Sequence, residues 1–116
     1  MQIRQIAELL NAEVLCGHES LDKVVKSAFG CDMMSDVLAF VKNQAVLLTG
    51  LCNPQVVRTA VMMDMRCIVF VRGKIPPEEV ISLAQEAGIV VMTTKEIMYA
   101  SCGKLYQNGL LAGGDE

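Results

Sequence analysis

Basic residues are scarce in this sequence: ten Lys and Arg stand against thirteen Asp and Glu, a net charge of −3. A protein that grips nucleic acid without regard to sequence needs clustered cations to release counterions, so no nucleic-acid partner is expected. No uncharged apolar run approaches the roughly 20 residues of a membrane-spanning helix, which excludes a membrane span. The stretch from Met1 to Asn11 carries Arg4 and Glu8 and lacks the apolar h-region of a signal peptide, so a cytoplasmic protein is expected. The five cysteines are odd in number and contain no Cys-x-x-Cys pair. That excludes a disulfide framework and a zinc-ribbon spacing, and reduced thiols follow. There is no Gly-x-x-x-x-Gly-Lys-Ser/Thr run and no Gly-x-Gly-x-x-Gly, which removes the P-loop enzymes and the dinucleotide fingerprint. The one histidine, His18, lies in a polar turn with no nucleophile marked by motif, so no hydrolase triad is expected.

What the chain does have is aliphatic and methionine-rich bulk. Its 116 residues are 53% hydrophobic and 20% charged, with eight methionines and only 4% aromatics, enough to fold one domain around one core. In so short a chain this apolar excess leaves surface for a partner subunit, and a homodimer is expected.

Ile3, Ile6, Leu9 and Leu10 recur at helical spacing up to Asn11, a residue suited to a left-handed helix end. Glu13 to Cys16 and Val24 to Phe29 read as strands that form or flank a hairpin, with Gly30 ending the second. Asp32 or Ser35 is expected to cap a helix whose stripe is Met33, Met34, Val37, Leu38 and Val41; cap duty also accounts for Asp36. From there a unit of about 22 residues repeats: an apolar strand, a turn, a helix. The strands are Ala45 to Leu48, Cys67 to Val71 and Ile89 to Met92, apolar throughout, as buried parallel strands are. Asn53-Pro54 opens the first helix, and Pro76-Pro77-Glu78-Glu79 opens the second, which Gly88 closes. The capping box Thr93-Thr94-Lys95-Glu96 is expected to start the last helix, towards Tyr106. The spacing predicts an α/β fold: a layered single domain over residues 1–111, its mixed, mainly parallel β-sheet flanked by helices, with edge strands from the N-terminal third and a frayed tail at 112–116.

In such sheets the strand C-termini and helix N-termini share an edge that favours anions. That edge collects Thr49, Gly50, Asn53, Arg72, Gly73, Thr93 and Thr94. Arg72 is the residue to pair with a phosphate-bearing ligand, and Gly50 and Gly73 allow close backbone approach. The same residues also serve as ordinary turn and cap residues. Cys31, Cys52 and Cys102 would suit a soft metal or iron–sulfur cluster if they converged. Nothing in their spacing requires it, so no metal or cofactor is expected, and the methionines read as core or interface filler.

Leu48-Thr49-Gly50, then Val71-Arg72-Gly73-Lys74-Ile75-Pro76-Pro77, then Val91-Met92-Thr93-Thr94, with the segment from Gly30 to Phe40 before them, resemble a DRTGG domain over nearly the whole chain. The resemblance implies a fold like the N-terminal domains of HPr kinase/phosphorylase and of the Mur ligases. It also implies an accessory or regulatory role that includes dimerisation. The family's Asp-Arg pair is replaced here by Leu51-Cys52-Asn53, and Val71-Arg72-Gly73 stands in place of its Thr-Gly-Gly. No kinase activity carries over, because the P-loop domain of that kinase has no counterpart. The expected function is a non-catalytic regulatory or protein-interaction module, self-associating and acting with a redox or metabolic enzyme. The alternative is a sensor that binds an adenine or uridine nucleotide through Arg72, Gly50, Asn53 and Thr93.

Overall fold

Strands with no polar face cannot stand at the surface; both sides must be covered by helices. The computed structural model, which describes residues 1–41 and 44–112, meets that demand with three layers. Along the chain run α1 (Ile3–Leu10), β1 (Glu13–Cys16), β2 (Ser27–Gly30), α2 (Met34–Phe40), β3 (Ala45–Thr49), α3 (Pro54–Met62), β4 (Cys67–Phe70), α4 (Glu78–Ala87), β5 (Val90–Thr93) and α5 (Met98–Gln107). The five strands lie in the order β1-β5-β4-β3-β2. β2 to β5 are mutually parallel and β1 is antiparallel to β5, with Glu13 opposite Thr93.

Alternation along the central strands divides the core in two. Leu47, Ile68, Phe70 and Val91 face α2, α3 and α4, where they meet Val37, Val57, Ala60, Val80 and Ala84. Val46, Leu48, Cys67, Val69, Val90 and Met92 face the other way, onto Ile3, Ile6 and Leu10 of α1 and Leu105 of α5. Each fully buried aliphatic side chain contributes about 1.5–3 kcal/mol through apolar area removed from water.

The N-terminal third supplies the two edge strands, as its position in the sequence suggested, but β1 and β2 sit at opposite edges and form no hairpin. The second strand is shorter than the reading from Val24, because Val24 bridges Gln2 and the Val25 N–H donates to Met1 O at 2.8 Å, at the start of α1. Asn11 and Gly88 end α1 and α4 in the left-handed conformation. Of the expected caps, those of α2 and of the last helix are corrected, and that of α3 stands in place. The N-cap of α2 is Met33, without a side-chain bond, because Asp32 is engaged elsewhere and Ser35 is inside the helix. Asn53 holds the N-cap position of α3 but makes no cap bond. The last helix starts from Ile97, beyond the Thr-x-x-Glu box. At the C-terminus the Ala28 N–H donates to Leu111 O, and Ala112 forms a parallel bridge with Ala28, so residue 112 adjoins the free edge of β2. The rest of the expected tail, 113–116, lies outside the described residues.

Two stability predictions follow from this packing. A methyl on Gly17, whose φ is +84°, would lie 2.8 Å from Val90 Cα. Gly17→Ala should cost more than about 2 kcal/mol in denaturant unfolding, whereas Gly109→Ala, at φ +98° in open space, should cost about 1 kcal/mol. Burial pushes the Cys67 thiol well above its ordinary range. The folded state therefore keeps this proton while the unfolded chain loses it above roughly pH 8.5. Stability should fall from that pH upward, by about 1.4 kcal/mol per pH unit for this proton, and Cys67→Ala should flatten the slope. An unchanged slope in Cys67→Ala would contradict this assignment.

Candidate functional site

The C-terminal ends of β2 to β5 share one edge of the sheet, and antiparallel β1 begins there too. After β3 the chain turns on Thr49 and Gly50. Both the Thr49 hydroxyl and the Gly50 N–H donate to one oxygen of Asp32, Oδ1, at 2.9 and 2.8 Å, and Thr49 Oγ1 accepts the Leu51 N–H at 3.1 Å. Asp32, read from sequence as a helix cap, thus ties the β2–α2 loop to the end of β3.

The next turn is strained and then clamped. Arg72 has φ +60° and Gly73 φ +68°; for a residue with a Cβ the left-handed region costs roughly 1–2 kcal/mol. The Arg72 N–H donates to Glu96 O and the Gly73 N–H to Thr94 O, each at 2.8 Å, while the Thr93 hydroxyl donates to Lys74 O at 2.6 Å. These bonds fasten the β4–α4 turn to the loop after β5 and direct the Arg72 side chain back over Gly50. A methyl on Gly50 would lie 3.0 Å from Arg72 Nη2, so glycine leaves the room the guanidinium occupies.

Beyond this turn a cleft of about 510 Å³ opens between the α1–β1 corner and the start of α5. Leu10, Asn11, Glu13, Ile75, Lys95, Glu96 and Lys104 line it together with Gly73, Thr93 and Thr94. Thr94 is buried, its hydroxyl donating to Leu10 O at 2.8 Å and accepting the Glu96 N–H at 3.3 Å. Glu96 and Lys104 form an ion pair across the opening.

The seven residues named from sequence therefore fall into two neighbouring groups. Gly73, Thr93 and Thr94 line the cleft; Thr49, Gly50 and Arg72 form the adjoining turn, and Asn53 is exposed at the start of α3. The hydroxyl hydrogens of Thr49, Thr93 and Thr94 are all donated internally, which leaves those side chains only acceptor capacity for a ligand. Sequence reasoning missed Asp32, Cys52 and Lys74 beside the turn, and Asn11, Glu13, Lys95 and Lys104 in the cleft. Burial raises the Cys52 thiol, Lys74 and Arg72 oppose the rise, and Asp32 adds to it, so all three charges lie within electrostatic reach of that sulfur.

The convergence of Cys31, Cys52 and Cys102 does not occur. Among the described residues no three His, Cys, Asp or Glu side chains are placed to hold a metal ion. Cys31 instead bonds with the Met33 backbone, and Cys102 lies against Gly30. His18 is exposed on a short 3-10 turn, and among the described residues no helix is long and apolar enough to cross a membrane.

The DRTGG domain family matches residues 5–107. No curated protein matches the chain. Among solved structures it is similar to the CBS and DRTGG domains of the regulatory region of a Clostridium perfringens pyrophosphatase, crystallised with the activator diadenosine tetraphosphate. The TM-score is 0.72 at 16% identity, over 97% of this chain and 50% of that one, so this chain spans half the length of the region it resembles and the likeness is one of fold.

Asp32→Ala strips the acceptor from a backbone N–H and a hydroxyl and should destabilise the protein by about 1–3 kcal/mol. Arg72→Ala, at an exposed side chain with no bonding partner among the described residues, should change stability by less than about 0.5 kcal/mol. Denaturant titration of the two variants checks the pair, and the opposite ranking would contradict the assigned contacts.

Proposed function

The chain belongs to the DRTGG domain family, and from that premise we propose that it is a non-catalytic regulatory module of the cytoplasm, which self-associates as a homodimer and acts on a metabolic or redox enzyme. The observation that carries this reading is apolar surface that the fold itself does not use. Both faces of the sheet are already covered, yet Met33, Leu38 and Phe40 around α2 are 61%, 39% and 58% exposed, and Val61 and Met62 of α3 are 53% and 70% exposed. α2 packs on α3, so these side chains stand on adjoining helices, where a subunit interface would bury them. The likeness to a pyrophosphatase's regulatory region supports the same role. Sedimentation equilibrium at micromolar concentration should give a dimer, and Phe40→Glu with Met62→Glu should give a folded monomer. A monomeric wild-type protein would overturn self-association.

A second reading is favoured by the cleft and by the nucleotide in the Clostridium structure. In it the domain senses an adenine or uridine nucleotide at the strand edge, through Arg72, Gly50, Asn53 and Thr93. Ligand that binds only the folded state stabilises it by about 2.7 kcal/mol at a hundredfold excess over Kd. A saturable thermal shift that is lost in Arg72→Ala is the expected result; no shift with any adenine or uridine nucleotide removes this reading.

A further inference from the structure

Among the described residues, Arg72, Lys74 and Lys95 at the strand edge form no ion pair, and the first two share the β4–α4 turn. The ion pairs among the described residues are Arg4 with Asp22 and Lys104 with Glu96, and neither the Arg72 guanidinium nor the Lys74 ammonium bonds to any described residue. Their backbone is nonetheless fixed. The N–H groups of Arg72, Gly73 and Lys74 donate to Glu96 O, Thr94 O and Val71 O, and Lys74 O accepts the Thr93 hydroxyl. A turn with a fixed backbone has already met the backbone part of the ordering cost of binding an anion, which leaves only the two side chains to be ordered. The guanidinium itself lies against the backbone of Gly50, in the space that a Cβ there would enter. Asp32, the acid at this place, directs Oδ1 to Thr49 and Gly50 and forms no ion pair with Arg72.

We propose that Arg72, which lies over Gly50, and Lys74, two residues on in the same fixed turn, bind a phosphate or pyrophosphate group, with the Asp32 carboxylate as a built-in negative charge that limits its affinity. Two separate cations match a dianion better than a single carboxylate, and the planar guanidinium grips two phosphate oxygens at once. The proposal deepens the sensor reading above and rests on it for the rest of the ligand. Asp32 has a defined effect here: it keeps the Gly50 N–H occupied, so the incoming anion relies on the two side chains. Neutralising it as Asp32→Asn keeps an acceptor for that N–H and removes the repulsion.

The test uses inorganic pyrophosphate as the probe, with calorimetry and the peptide-resolved alkylation rate of Cys52 as readouts. Bound dianion offsets the two cations that favour the Cys52 thiolate, so alkylation should slow as pyrophosphate saturates. Arg72→Ala and, separately, Lys74→Ala should weaken binding about tenfold or more. Asp32→Asn should tighten it about threefold, and added salt should weaken it throughout. Pyrophosphate binding that is equal in wild type and both cation variants would overturn the proposal. Nucleosides that bind while pyrophosphate does not would overturn it and leave the sensor reading standing. Pyrophosphate that binds while no nucleotide binds more tightly would support this site and overturn the sensor reading. No binding of either kind overturns both.

Discussion

The structure depends on the need to cover β3, β4 and β5 on both faces. Every residue of these strands is buried, and a parallel sheet of this kind has no stable arrangement with one side in water. α2, α3 and α4 close one face and α1 and α5 the other. Crossovers between the parallel strands then place the C-termini of β2 to β5, and the turns that lead from them into helices, at the same edge. The location of the candidate site follows from burial before any polar residue is considered.

Polar residues at that edge chiefly hold loops to one another. Thr93 and Thr94 fasten the loop after β5 to Lys74 and to the end of α1, and Asp32 fastens the β2–α2 loop to the end of β3. These contacts leave Arg72 and Lys74 on a fixed turn, without a side-chain bond to any described residue. The apolar side chains left over on α2 and α3 stand away from the sheet, so the proposed ligand site and the proposed subunit interface occupy different surfaces. Asp32 immediately precedes the N-cap of α2, which gives the two surfaces one shared connection.

Much of the fold was legible in the sequence because its signal is local. Continuous apolar runs at a regular spacing identify β3, β4 and β5, and Pro54 and Gly88 mark helix ends through backbone chemistry that neighbours do not change. The misread residues are those whose partners are distant in sequence. Asp32 looks like a cap beside Met33 but bonds to Thr49 and Gly50; Thr93 looks like a cap but its hydroxyl donates to Lys74 O. The Asn11 and Glu13 side of the cleft depends on β1 pairing antiparallel with β5, and no local pattern encodes that pairing. At the candidate site, strand-edge logic named Arg72 and the glycines, and passed over Lys74 because a lysine in a turn looks like any solvated charge.

The central claim is that the strand C-terminal edge is the ligand-responsive end of this domain. Amide chemical-shift mapping with a nucleoside diphosphate tests it most directly, since it reports on every backbone N–H without assuming a site. The account predicts saturable shifts concentrated at Gly50, Leu51, Arg72, Gly73 and Lys74, with smaller ones along α2. Shifts confined to the outer faces of α3 and α4, or no shifts at saturating ligand, would contradict it.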